Sequence, residues 1–255
     1  MASREPVYRA RPLRAPVRGL RRWLRYVAGL LVLLGAAVGV AFPQAALAAI
    51  WLPLLAIFST TRMAVAYLLS LVFAIAYGYT AATNKRASVI LLPVLDILQS
   101  VPILGFFPPA LFFFVAAFQG HPVGIELAVV FLIFTSMSWN MAFGVYESLT
   151  TIPADLEAAA ASFGLRGWLR FRLLAFPAAV PKLVYNSILS WSNGWFFLVA
   201  SETFTTFGRD YKVPGLGSFI ADAGLVGDNA RIAVGIGVAV VVSFVRLVRD
   251  LKRPS

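Results

Sequence analysis

The 255-residue chain has no cysteine, one histidine (His121) and only 13% charged residues. Without thiols it has no disulfides, thiolate metal sites or cysteine nucleophiles. A single imidazole leaves no histidine-based zinc site and no Ser-His-Asp triad. The scarcity of charge excludes more. An average soluble domain carries about 25% charged residues, so this chain has roughly half the charge that a water-facing surface needs. A soluble globular enzyme is thereby set aside.

What fills the space is apolar. Hydrophobic residues make up 60% of the chain and mean hydropathy is +0.83. Uninterrupted runs such as Leu30–Leu34 and Leu127–Phe134 lack the in–out alternation of a membrane barrel, so the expected fold is an all-α polytopic membrane protein. Six candidate spans follow, at 27–42, 62–82, 89–118, 124–145, 178–200 and 229–248. The third exceeds one straight crossing, and Pro102, Pro108 and Pro109 should kink or break it. The stretch 44–59 reads as an interfacial helix bent at Pro53. Ala46-Leu47-Ala48 resembles a signal-peptidase site, but an uncleaved anchor fits a polytopic chain better.

Charge placement sets the orientation. Arg4, Arg9, Arg11, Arg14, Arg18, Arg21, Arg22 and Arg25 precede the first span, and Arg246, Arg249, Lys252 and Arg253 close the last. With six spans and both termini cytoplasmic, only Arg62, Arg209, Lys212 and Arg231 of the 22 basic residues are left for the outer side, as the positive-inside rule requires. The formal charge of +11 is therefore read as topology and anionic-lipid contact in the bilayer, not as nucleic-acid binding. The expected organisation is a basic cytoplasmic segment 1–26, a first span with its outer segment 27–60, a transmembrane domain 61–250 and a short cytoplasmic tail 251–255.

The most distinctive stretch is a cytoplasmic loop at about 150–177, TIPADLEAAAASFGLRGWLRFRLLAFP from Thr151 to Pro177. Thr151 is placed to cap a short helix, Pro153 suits its first turn, and Asp155 and Glu157 favour the positive end of its dipole. Small residues Ala158–Ala161 allow close approach by a partner, and Gly164 supplies the stop. A second amphipathic stretch, Arg166–Phe176, sets Trp168, Phe171 and Leu174/Ala175 near one face, with Pro177 ending it.

At these residues the chain resembles binding-protein-dependent ABC importer permeases. Their cytoplasmic pattern is Glu-Ala-Ala, three residues, Gly, nine residues, then Ile-x-Leu-Pro. Ala159, Ala160, Gly164, Leu174, Phe176 and Pro177 match it in register, and the acid Glu157 stands one position early. Leu95–Pro102 (LDILQSVP) and Gly215-Leu216-Gly217 are similar to further elements of the family. Trp195–Glu202 (WFFLVASE) is similar to its nitrate/sulfonate/taurine/bicarbonate subgroup, with the chain resembling one half of the subgroup's large two-repeat permeases.

The resemblance implies the type I importer permease fold (methionine-importer-like) in a bacterial inner membrane. It implies a coupling helix near Ala154–Gly164, with Asp155, Glu157, Ala159, Ala160, Gly164, Leu174 and Pro177 in the ATPase-coupling loop. It also implies three protein partners: a cytoplasmic ATP-binding subunit, a second permease copy or paralogue, and an extracytoplasmic solute-binding protein. No cofactor is expected. The chain has no G-x-x-x-x-G-K-[ST], so nucleotide hydrolysis is expected in a separate subunit and the chain is not expected to be an enzyme. Two alternatives stay open on the residues alone: a transporter or channel not driven by ATP, and a membrane scaffold that recruits a cytoplasmic partner.

Polar residues inside spans line pathways or join helices. Asp96, Gln99, Ser100, Asn140, Asn186 and Asn193 are the candidates for the translocation path. Glu202 reads as a residue at the outer membrane boundary, and His121 and Glu126 as flanks of a solvated outer loop.

Overall fold

The computed structural model describes residues 49–102, 105, 107–206 and 209–251. The predicted span 27–42, its arginine-rich approach, residues 44–48 and the tail 252–255 lie outside the described residues. A short 3-10 turn, Ala49–Trp51, leads into α1 (Leu52–Thr83) and α2 (Lys85–Ser100). Next come α3 (Phe107–Ala117), α4 (Pro122–Thr150), α5 (Ala154–Ser162) and α6 (Gly167–Arg170). A π-wound turn, Phe171–Ala175, joins α6 to α7 (Phe176–Glu202). The hairpin β1 (Thr203–Thr206) and β2 (Arg209–Lys212) is antiparallel, with Thr203 opposite Lys212. The short α8 (Leu216–Leu225) and then α9 (Asn229–Leu251) follow. Among the described residues, three helical stretches are long and apolar enough to cross a membrane: Leu52–Thr83, Pro122–Thr150 and Gly167–Glu202.

The bundle is centred on α4, which packs against α1 on one side and α7 on the other. The α1 contact is made by a ridge of small residues at every fourth position, Ala66, Ser70, Ala74 and Gly78, all buried. Such a ridge lets two backbones approach without side chains between them. A Cβ on Gly78 would lie 2.7 Å from the Ala142 carbonyl oxygen, so the crossing has no room for a methyl group. Across the same seam Ser70 Oγ donates to Phe134 O of α4 (3.2 Å), and Ser138 Oγ lies 3.1 Å from Ser70 Oγ. Below and above it lie two apolar clusters, one holding Met63, Ile133, Met137 and Leu198, the other Leu95, Met141, Val145 and Leu183. Much of the outward surface is apolar, with Leu68, Val72, Val89 and Ile90 all exposed, as lipid contact requires.

Prolines decide where helices run. The expected break in 89–118 is present: α2 ends at Ser100, Val101 is extended ahead of Pro102, and α3 begins at Phe107 with Pro108 and Pro109 in its first turn. A residue before proline is pushed out of the helical region, and proline is tolerated at a helix start. Pro53 behaves in the second way, which corrects the expected bend. It occupies the first turn of α1, so from Leu52 onward the supposed interfacial helix and the second span are one 32-residue helix.

Pro177 does not end its helix either, contrary to expectation. It sits in the first turn of α7, and the chain runs on from the π turn, where the Phe176 N–H reaches back to Phe171 O. Proline has no N–H to give to the carbonyl four residues earlier. The five-residue hydrogen-bond spacing just ahead of it absorbs that loss without breaking the rod.

Candidate functional site

The loop between α4 and α6 projects from one end of the bundle. Thr151 closes α4 instead of capping the next helix: its hydroxyl donates to Glu147 O (2.9 Å) and Ser148 O (3.3 Å). Pro153 therefore stands at the N-terminus of α5, accepting from Leu156 and Glu157 N–H, with Asp155 and Glu157 in the first turn. At the other end Gly164 adopts φ +68°. Leu165 N–H bonds Ala160 O (2.9 Å) and Gly164 N–H bonds Ala161 O (3.0 Å). This paired closure satisfies the last carbonyls and needs a left-handed residue that glycine adopts without strain.

Within α5 only Ala160 is buried. Asp155, Ala158 and Ala159 are exposed, Leu156 is 53% exposed and Phe163 is 83% exposed. A nine-residue helix with leucine exposed along it and phenylalanine exposed at its C-cap has little of its own to keep it folded. The second stretch carries Trp168 outward, stacked on Phe171 at 5.1 Å. Phe171 and Leu174 are half-buried, Ala175 is buried and Pro177 is exposed.

Glu157, the acid displaced by one position, pairs with Arg170 at 2.6 Å, with a second bond at 3.3 Å from Nε. Lys182 on α7 pairs with Glu147 on α4 at 2.5 Å near the same end. A cavity of about 320 Å³ lies where Ala82, Thr83, Leu149, Ile152, Arg170 and Ala175 meet.

The path candidates fall into two groups. Asp96, Gln99 and Ser100 form a cluster on the last turn of α2, at the break. Gln99 Nε2 donates to Asp96 Oδ1 (3.0 Å) and Ser100 Oγ to Asp96 O (2.6 Å), all exposed. Asn140 and Asn186 instead join helices. Asn186 Nδ2 donates to Asn140 O (3.2 Å), and Asn140 Nδ2 to Asn186 O (3.4 Å) and Ser190 Oγ (3.3 Å). Asn193 is exposed on α7.

At the opposite end the structure assembles a cluster that sequence reasoning missed. Arg62, the first residue of the expected span 62–82, is buried within α1, and Glu202 is fully buried at the end of α7. The Arg62 fork gives Nε and NH2 to the two oxygens of Glu126 (2.6 and 2.7 Å), and NH1 to Glu202 Oε1 (2.9 Å) and Pro214 O (2.8 Å). Ser59 Oγ donates to Glu202 Oε1 (2.5 Å) and accepts from Leu216 N–H (2.9 Å). Gly217 N–H donates to Glu202 Oε2 (2.6 Å). The Gly-Leu-Gly element thus wraps a carboxylate: a Cβ on Gly217 would lie 2.7 Å from Val199 Cα, and one on Gly215 would strike the Glu202 carboxyl group. Glu202, the last residue of α7, is thus enclosed by protein, and Glu126 is one half of a bidentate pair. The available signal was one arginine and one glutamate inside apolar helices, since ionisable groups there seek partners.

Comparison with known proteins agrees with this architecture. The profile of the family described as "Binding-protein-dependent transport system inner membrane component" matches residues 70–251. The chain is 28% identical over 178 residues to the nitrate import permease protein NrtB of Leptolyngbya laminosa, covering 70% of this chain and 59% of that protein. It is 26% identical over 165 residues to the bicarbonate transport system permease protein CmpB of Synechococcus elongatus, covering 65% and 55%. It is 24% identical over 178 residues to the taurine transport system permease protein TauC of Escherichia coli, covering 69% and 62%. The chain thus spans less than two thirds of the length of each of these curated relatives. With a family match over most of its length and a helical bundle to carry it, the chain belongs to the inner-membrane components of binding-protein-dependent transport systems, which share the type I ABC permease fold.

Proposed function

We propose that this protein is the permease subunit of an ATP-driven importer for a small oxyanion or organic acid such as nitrate, a sulfonate or bicarbonate. The observation that carries the reading is α5: a short helix of small residues, almost wholly exposed, held off the end of a membrane bundle in a chain of this family. A helix so poorly packed on its own chain is suited to a groove on a cytoplasmic ATP-binding subunit. The α5 end then faces the cytoplasm, both termini lie on that side, and ATP hydrolysis belongs to the partner. Closure of an ATPase pair draws two coupling helices together and turns the path between two permeases from inward- to outward-facing. A solute-binding protein supplies substrate at the far end. Asp96, Gln99, Ser100 and Asn193, exposed on this chain alone, face that path, while Asn140 and Asn186 hold α4 to α7 beside it. The substrate class rests on the relatives' names.

The test is co-purification of the permease with its ATPase. Ala159→Arg and Phe163→Asp alter exposed positions on α5 and at its C-cap, so neither disturbs the bundle. Loss of the ATPase and of ATP-driven uptake in both variants supports the reading. Retention of both activities overturns it.

A further inference from the structure

The ion pair Glu157–Arg170 has a geometry that goes beyond holding a loop. Among the described residues, it is the only side-chain hydrogen bond or ion pair recorded between α5 and the rest of the chain. Arg170 is the last residue of α6, and the π turn begins at the next residue. Its side chain lines the cavity between the ends of α1 and α4. Phe171, first in the π turn, meets Tyr79 of α1 edge-on at 5.1 Å and is stacked on by Trp168. Beyond the turn, α7 runs unbroken to Glu202 and carries Asn186 and Asn193. The backbone link between α5 and α6 is weak by comparison: it passes through Gly164 at φ +68° and Gly167 at φ +51°, both with open space around Cα. Two left-handed glycines in four residues make a joint that transmits little on its own.

We propose that Glu157 and Arg170 are a positioning pair, a strut that makes α5 and the π-wound root of α7 move as one piece. This deepens the coupling reading above and rests on it. Force applied to α5 by a partner reaches α7 through the guanidinium–carboxylate bond, because the double-glycine joint folds under load. The π turn is the compliant point at which the root of α7 tilts, since its hydrogen bonds are already at the wider five-residue spacing and Pro177 removes the next one. The one-position displacement of the acid matters here. One residue turns a helical side chain by about 100°, from 3.6 residues per turn, and at position 157 the carboxylate reaches Arg170.

The experiment is a double-mutant cycle on the complete transporter, permease with ATPase and binding protein, in proteoliposomes. The probes are labelled nitrate, bicarbonate and taurine, using whichever the wild type accumulates. Variants are Glu157→Gln, Arg170→Gln and the pair together. Each single variant is expected to lower uptake about fivefold, the ratio that about 1 kcal/mol of lost pairing represents. The double variant is expected to lose no more than either single. In Arg170→Gln the ATPase stays bound and more ATP is hydrolysed per solute imported, a readout that simple loss of assembly does not produce. Multiplying losses in the double variant, or an unchanged ATP cost per solute, overturns the strut. Wild-type permease that binds no ATPase sinks the importer reading instead, so the two failures are distinguishable.

Discussion

The two ends of the α1–α4–α7 bundle hold their polar groups on opposite terms. At the far end Arg62, Glu202 and Ser59 are buried and hydrogen-bonded from α1, α4, α7 and the start of α8. At the loop end α5 stands in solvent with a single ion pair to its neighbours among the described residues. Buried charge is tolerated only where every lone pair and proton is met, and removing one partner strands the rest. An exposed helix, by contrast, has little to lose from substitution and much to offer a partner. On the proposed function, the difference separates an end that fixes the bundle from an end that receives work.

That contrast orders the expected effects of substitution. Glu202→Ala removes one partner of Arg62 NH1 and leaves the Ser59 hydroxyl proton and the Gly217 N–H unpaired in a buried site. It should destabilise the protein by about 3–5 kcal/mol, read as a lower denaturation midpoint in detergent. Gly217→Ala forces a methyl group against Val199 backbone, and overpacking of this kind costs about 1–3 kcal/mol in the same assay. Lys182→Ala removes a pair at the loop end whose side chains are 41% and 49% exposed. Its cost should stay below about 1 kcal/mol and shrink further with added salt. Ala159→Arg should leave stability within about 0.5 kcal/mol of wild type while removing the ATPase. An Ala159→Arg protein that melts far below wild type, or a Glu202→Ala protein that does not, erases the contrast.

Much of this was legible in sequence where the signal is local. Pro102, with Pro108 and Pro109 behind it, marks the break after α2, and Gly164 marks the end of α5. Misreadings came from prolines whose effect depends on position. Pro53 and Pro177 both sit in first turns, where the missing N–H has no helical partner to lose or where a π turn makes room. The far-end cluster was illegible for a different reason: Arg62 and Glu202 meet across 140 positions, and Ser59 meets the same carboxylate across 143. No periodicity encodes such a contact. At the loop end, position 157 showed an acid, but its turn toward Arg170 depends on how α6 folds back past two glycines.

The central claim is that the exposed helix α5 receives an ATPase while the bundle stands without it. The most direct test is the amount of ATP-binding subunit that co-purifies with Ala159→Arg permease from membranes in which wild type and variant are equally abundant. The account predicts that the variant brings down none, with its denaturation midpoint unchanged. A variant that retains the subunit at the wild-type ratio contradicts it.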